Sequence, residues 1–397
     1  MARNGRAFCS NDFDAIYAKY FERIIANGLV AGDPSGWART QTEIKVDLPS
    51  SPRSEAFSNY TIDNRRLLGS QKESLVSLLE KWDHQPYSYD EITITPSIST
   101  ASLTVLLLLR SRGIRTIFFE TPAYYATIEQ AASIGIRCRL IPTYRRNRYN
   151  WTPTSIRRNG SRTAIWLTQP RFALGANQQV KHVEAVLDLL GVHDFLVVDE
   201  TADMLWPSTL SKIRTGATRN LIKIRGYTKP LGLNGLRTSF VIHPASLRSA
   251  LCEFLWIAGG ALDLYSLMAA VQIASDANLF QSMLSLTRNR IIEMHRRLSA
   301  LTTATYVSLS PMENGYLGSA ILNWSNIQGE YARKRQSLLE FCSELRLPIT
   351  LGAAMLFAYE NSHEHVRLNY FMPGRDLELG ISALTEFSRR LSIQEFE

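Results

Sequence analysis

Cysteine is scarce and unpatterned. The four in 397 residues, Cys9, Cys138, Cys252 and Cys342, form no CxxC pair and no regular ladder, so neither a disulfide framework nor a zinc cage is signalled. The opening MARNGRAFCSN lacks the apolar stretch of a secretory signal. Nor is there an uninterrupted apolar run of membrane-spanning length. The richest window, 251–274, carries Glu253 and Asp263, which argues for buried helices or a subunit interface. No repeat or low-complexity tract marks a boundary, so lobes must be read from pattern. These absences lead to the expectation of a cytoplasmic, soluble protein with no membrane partner.

What is present is ordinary for a globular chain: 45% hydrophobic and 20% charged residues, too apolar for disorder. At roughly 150 residues per domain the length suggests two to three domains. The formal charge is +8, from 44 basic and 36 acidic residues. Part of the excess lies in Arg145, Arg146 and Arg148 and in Arg157 and Arg158. Clusters this short read as solvated faces, and charge alone does not argue for a nucleic-acid partner.

Residues 12–28 read as an amphipathic helix ending at Gly28, followed by a polar, Pro-containing arm to residue 58. A second helix is expected over 70–82. From residue 91 short apolar runs alternate with helical segments: EITITP, RTIFFETP, IRCRLIPTY, TAIWLTQP, DFLVVDE, LIKIRGYTK and RTSFVIHP, with Gly or Pro at the joins. That is the pattern of βα units in a mostly parallel sheet. A long helix over 277–300 follows, then TYVSLSP, GSAILNW, a helix over 330–344, AMLFAYE, HVRLNYF and a final helix. The predicted fold class is α/β, with a large domain built on a mostly parallel, seven-stranded-type sheet flanked by helices and a smaller α+β C-terminal domain. The boundaries expected are 1–58 for the helix and arm, 59–285 for the large domain and 286–397 for the small one.

Three features sit at strand ends, where open α/β sheets place their ligands. Asp199 closes the apolar strand of DFLVVDETADMLW, so its carboxylate emerges from a dry interior and needs a cation or donors. Taken alone it reads as readily as a helix N-cap. Lys229 follows another apolar strand in a loop with Gly226, Gly232 and Gly235. Desolvation there is expected to lower its pKa and suit it to Schiff-base chemistry. Thr228 precedes it and Arg237 lies eight residues on, so hydroxyl, amine and guanidinium on one loop could hold a phosphate and an aldehyde. In TPSISTASLTVLLLL, Ser97, Ser99 and Thr100 stand where a strand turns into a helix, a place that suits both phosphate binding and plain N-capping.

Together these residues resemble the aspartate-aminotransferase superfamily, the fold-type I enzymes (class I/II aminotransferase-like) that use pyridoxal 5'-phosphate. The resemblance covers about residues 45–397. Ser97, Ile98 and Ser99 match its helix-capping phosphate loop, and Thr121-Pro122-Ala123-Tyr124 its TPxY segment, implying that Tyr124 stacks on the cofactor ring. Asp199 matches the strand aspartate that keeps the pyridine nitrogen protonated. Thr228, Lys229 and Arg237 match the S/T-K-x7-R pattern, implying the cofactor-bearing lysine and a phosphate clamp. Arg367-Leu368-Asn369-Tyr370 matches a late strand whose arginine grips the substrate α-carboxylate. Read on its own, Arg367 is a strand salt-bridge residue.

The departures are specific. Phe172, in QPRFALG, stands where the family's NPTG turn has the asparagine that bonds the cofactor's phenolic oxygen. Ala202, in DETA, stands where D-x-x-Y has a tyrosine serving the same oxygen. Asn64, before Gly69, replaces a tyrosine that reaches the neighbouring subunit's phosphate. Gln169 is a candidate substitute donor. The function implied is a pyridoxal-phosphate enzyme acting on an α-amino acid through an external aldimine and a quinonoid, with Lys229 as base, Asp199 and Tyr124 beside the ring and a homodimer as the working unit. Its simplest form is an aminotransferase. A lyase or cyclase of secondary metabolism is the alternative that the departures favour. A ligand-sensing regulator on the same fold is more remote, because no second or recognition helix can be placed before Pro49. No metal is expected: His363 and His365 in HEH read as surface residues of a strand.

Overall fold

The computed structural model describes residues 69–393 without 157–161, 214–219, 234, 260–263, 326–329 and 359, together with Lys19, Tyr20, Glu22, Arg23 and Ala26. Those last five are all helical, within the helix expected over 12–28. The rest of that helix, the arm, Asn64, Arg157, Arg158 and Asp263 lie outside the described residues. The Tyr20 hydroxyl donates to the carbonyl of Leu347 and accepts from the N–H of Ile349 at 2.7 Å, so Tyr20 is tied to the C-terminal third.

Seven strands form the main sheet: β1 (Ile92–Thr95), β2 (Thr116–Glu120), β3 (Arg137–Ile141), β4 (Thr163–Thr168), β5 (Phe195–Glu200), β6 (Leu221–Gly226) and β7 (Ser239–Ile242). Their order is β1-β7-β6-β5-β4-β2-β3. β7 runs antiparallel to both its neighbours and every other pairing is parallel. β4 and β5 read as nearly unbroken apolar runs because both faces are covered, whereas β6 buries Lys223 and Arg225 between its apolar residues. Alternation sorts them. Ala164, Trp166, Phe195, Val197, Ile222 and Ile224 pack against α2 (Ile98–Ser111) and α5 (Arg248–Gly259), whereas Ile165, Leu167, Leu196 and Val198 pack against α4 (Val180–Leu189). The same period-two alternation puts Asp199 on the α2 side.

α1 (Gly69–Asp83) packs on α6 (Leu264–Ser275), and α3 (Tyr125–Ser133) covers the edge strand β3. The apolar window 251–274 is therefore two separate helices of 12 residues each. Among the described residues no helix is long and apolar enough to cross a membrane. α7 (Ala277–Leu301) runs unbroken from α6 towards the second sheet, so the boundary expected at 285/286 falls inside one continuous helix.

The second sheet is antiparallel, in the order β10-β9-β8, from β8 (Val307–Leu309), β9 (Leu317–Asn323) and β10 (His363–Asn369). α9 (Gly374–Ile393) packs on it, and α8 (Tyr331–Glu344) packs on α9. AMLFAYE is not a regular element of this lobe. Gly352–Met355 forms a single 3-10 turn, held by Glu364 Oε1, which accepts the Gly352 N–H at 3.1 Å, and Leu356 leaves it at φ 61°.

Candidate active site

β5 and β6 are adjacent and parallel, so their C-terminal ends deliver Asp199 and, after Tyr227 and Thr228, Lys229 to one rim. Lys229 opens a 3-10 turn, Lys229–Leu231, that is closed by Gly232 at φ 72°. The buried Thr228 hydroxyl donates to the carbonyl of Leu236 and fastens the loop beneath the lysine. Across the rim, the turn from β1 into α2 is capped by Ser97, whose Oγ accepts the Thr100 N–H at 3.1 Å. The first N–H groups of α2, at Ile98 and Ser99, face the same opening, at the positive end of the helix.

These elements enclose a cavity of about 610 Å³, its open mouth included, which Ile98, Ser99, Tyr124, Asp199 and Lys229 all line. Asp199 is 7% exposed. Burial pushes its carboxyl above the ordinary range, against the Thr201 hydroxyl and N–H, which bond Oδ1, and the charge of Lys229. A buried acid so poised is a receptor for a further cationic N–H. For Lys229 burial pulls the amine down, but Tyr316, Asp199 and Tyr124 outweigh it and carry the pKa above that of a free lysine. The expected lowering does not occur in this state, because three neighbours favour the ammonium.

Tyr124 caps α3 and sets its ring against Phe172, with centroids 6.0 Å apart. Phe172 and Ala202, the residues at the two altered donor positions, both line the cavity. Gln169 does not. Its Nε2 donates to Asn177 Oδ1 at 2.8 Å and its Oε1 accepts the Gln178 N–H at 2.7 Å, so its amide secures the turn after β4. Arg367 is buried on β10 opposite Ser319, and its charge acts on the Tyr124 hydroxyl. Arg237 stands apart: its side chain is exposed and does not line the cavity.

Sequence reasoning missed Tyr316. It lies immediately before β9, is 3% exposed, lines the cavity and favours the Lys229 ammonium. No motif marks it, and the nearest signal is the Asn314-Gly315 pair, which permits the close turn. It also missed Arg171, buried at the cavity wall with its guanidinium held by the Tyr149 carbonyl, Asn150, Gln178 and Glu120. The histidines of HEH are not surface residues. His363 and His365 are 4% and 3% exposed, because the Phe357 ring stacks on His365 and Tyr149 bonds its Nε2 at 2.8 Å. Among the described residues no group of three or more metal-ligating side chains occurs.

The donor set fits pyridoxal 5'-phosphate. Its aldehyde needs a primary amine in a dry pocket, supplied by Lys229. Its ring nitrogen needs a buried acid lacking a full counter-charge, supplied by Asp199. Its phosphate needs unspent N–H groups and hydroxyls, supplied by the start of α2.

The sequence profile described as "Aminotransferase class I and II" matches residues 51–347. No curated protein matches the chain. Among solved structures, a Thermus thermophilus aspartate aminotransferase mutant superposes with a TM-score of 0.73 at 17% identity, over 98% of this chain and 100% of that one. An aromatic aminotransferase from Pyrococcus horikoshii OT3 gives 0.74 at 16%, over 96% and 100%. An aspartate aminotransferase from Thermotoga maritima gives 0.72 at 15%, over 98% and 100%. Sheet order, cavity and sequence profile agree, and the chain belongs to the aminotransferase class I and II family.

Proposed function

We propose that this protein is a pyridoxal-5'-phosphate-dependent aminotransferase acting on an α-amino acid, with Lys229 as the residue that holds the cofactor. The observation that carries the reading is the buried Lys229 amine sharing one cavity with the Asp199 carboxylate and the Tyr124 ring. When bound, the cofactor supplies an electron sink for bonds at the substrate's Cα. Asp199, steadied by Thr201, keeps a proton on the ring nitrogen and so keeps that sink electron-poor. Tyr124 and Phe172, both lining the cavity, would shield the cofactor from water. Ile98, Ser99 and the first turn of α2 would hold the phosphate. Arg367 binds the substrate carboxylate and fixes which Cα bond is presented. Lys229 Nζ would serve as the general base for the Cα proton, the role for which its placement in the cavity suits it. Arg237 joins the phosphate contacts only by turning inward from its exposed position.

The reading extends to a cytoplasmic homodimer and to the boundaries 1–58, 59–285 and 286–397. The dimer is supported by the exposed Trp256 and Ile257 on α5, 42% and 71% accessible, because adjoining large apolar side chains mark interaction surfaces. One observation favours a lyase or cyclase instead: Phe172 and Ala202 remove two polar groups that the family usually places at the cofactor's phenolic oxygen. The test is to mix the loaded protein with each amino acid in turn. Conversion to the pyridoxamine form, with release of the matching 2-oxo acid, supports the aminotransferase. Product formation without that conversion supports the lyase or cyclase.

A further inference from the structure

The loss of two polar groups at Phe172 and Ala202 is answered from the other sheet. We propose that the Tyr316 hydroxyl is the hydrogen-bond donor to the phenolic oxygen of pyridoxal phosphate in this protein, and that it holds the Lys229 amine in place before the cofactor arrives. The inference rests on the reading of the cavity as a pyridoxal-phosphate site.

Covalent chemistry supplies the first link. In pyridoxal phosphate the phenolic oxygen sits on the ring carbon next to the one bearing the aldehyde, and the aldehyde carbon is what a lysine amine attacks. A hydroxyl that lines the cavity close to that amine can therefore reach the phenolic oxygen as well. Tyr316 is such a residue: it lines the same cavity as Lys229, and its hydroxyl favours the Lys229 ammonium.

The second link is rigidity. The Tyr316 ring stacks on Phe371 with centroids 4.6 Å apart and an interplanar angle of 21°. Its carbonyl accepts the Tyr370 N–H at 2.9 Å. Gly315, at φ 80°, leaves no room for a side chain: a Cβ there would stand 2.7 Å from the Pro170 ring and 3.3 Å from the Ala202 carbonyl oxygen. The start of β9 is thus pressed directly against both segments in which the usual donors are missing. A group locked this well by its neighbours keeps its hydroxyl aimed without further ordering cost. Phe172 and Ala202 contribute no polar side-chain atom to the same wall, so the tyrosine meets no competing side-chain donor from those two positions.

Two consequences have opposite signs. A donor to the phenolic oxygen favours its ionised form, so removing it makes the bound chromophore hold its proton to higher pH. In the protein without cofactor, Tyr316 favours the Lys229 ammonium, so removing it lets the amine lose its proton at lower pH.

Tyr316→Phe tests both, because it keeps the ring on Phe371 and deletes only the hydroxyl. In the loaded protein, the midpoint of the visible cofactor band is expected to rise by about one pH unit, the size of one hydrogen bond to a charged oxygen. In the cofactor-free protein, the midpoint for acylation of Lys229, followed by peptide mapping, is expected to fall. If Tyr316→Phe loads cofactor and leaves the band midpoint unmoved, or if Tyr124→Phe moves it and Tyr316→Phe does not, the donor role is overturned while the cofactor reading stands. If borohydride traps no pyridoxyl group on the unmodified protein, the cofactor reading falls and takes the donor role with it. The acylation midpoint, read without cofactor, still decides whether Tyr316 holds the amine.

Discussion

Asn314 Nδ2 donates to Asp203 Oδ1 at 2.8 Å, and both residues are fully buried, at 2% and 0% exposure. The same amide donates to Asn177 Oδ1 at 2.9 Å, and its oxygen accepts the N–H groups of Met204 and Gly315 at 2.8 and 2.7 Å. One side chain thereby ties the turn after β4, the loop after β5 and the entry to β9. It is the polar joint between the two sheets, directly behind the cavity. Asn314→Ala would leave several of these groups buried without partners, each costing about 1–3 kcal/mol. Denaturant unfolding is expected to show a loss of at least about 2 kcal/mol, and gel filtration a faster loss of cofactor. Unchanged stability would contradict the role.

Gly226, the last residue of β6, permits the close approach that positions Asp199. A Cβ there would lie 2.3 Å from the Thr201 carbonyl oxygen, a backbone atom that cannot swing aside. Thr201 is the residue that bonds Asp199 Oδ1, so Gly226→Ala should displace the acid along with the loop. Lowered cofactor occupancy and lowered melting temperature are expected together. Gly235→Ala, whose Cβ would meet nothing within 4 Å, is the control expected to change neither.

If Arg367 binds the substrate carboxylate, Arg367→Gln removes a charge-assisted contact that contributes about 1.5–3 kcal/mol. The KM for amino acids should rise on the order of 10–100-fold, while cofactor binding stays intact. Steady-state kinetics with occupancy measured in parallel would expose an unchanged KM, and that outcome would return Arg367 to a structural role.

Much of the fold was legible because the strands are buried on both faces, so the FLVV of DFLVVDE announces itself as an apolar run that ends in charge, while LIKIRGYTK carries Lys223 and Arg225 between its apolar residues. Asp199 and Lys229 were legible for the same reason: a charge at the end of a dry strand is a local pattern. Tyr316 and Asn314 were not, because their importance arises from where the second sheet docks, and no local spacing encodes docking. His363 and His365 looked like surface residues because their covers, Tyr149 and Phe357, come from loops elsewhere in the chain. The Lys229 amine was read from desolvation alone, and the neighbours that reverse the shift become visible only once the chain is folded. Arg237 shows the converse, since a matching interval of eight residues leaves its side chain outside the cavity.

His365 carries a pH signature. Burial drives its pKa well below 6.5, and His363 and Arg145 add to the effect by repelling a second positive charge. Its folded pKa is depressed, so the neutral ring stabilises the fold above pH 6.5, and that contribution is lost as pH falls, while the unfolded chain takes up the proton first. The stability advantage of the unmodified protein over His365→Gln should therefore shrink as the pH falls from 7.5 to 5. Unfolding curves at matched pH would read it directly, and a constant gap would show that His365 titrates normally.

The central claim is that Lys229 carries the cofactor, and covalent trapping addresses it without reference to substrate. The protein loaded with pyridoxal 5'-phosphate is reduced with borohydride, digested and mapped by mass spectrometry. The prediction is a single phosphopyridoxyl mass on the peptide containing Lys229, with no such label in Lys229→Ala. A label carried by another lysine, at equal yield in both proteins, would contradict the account.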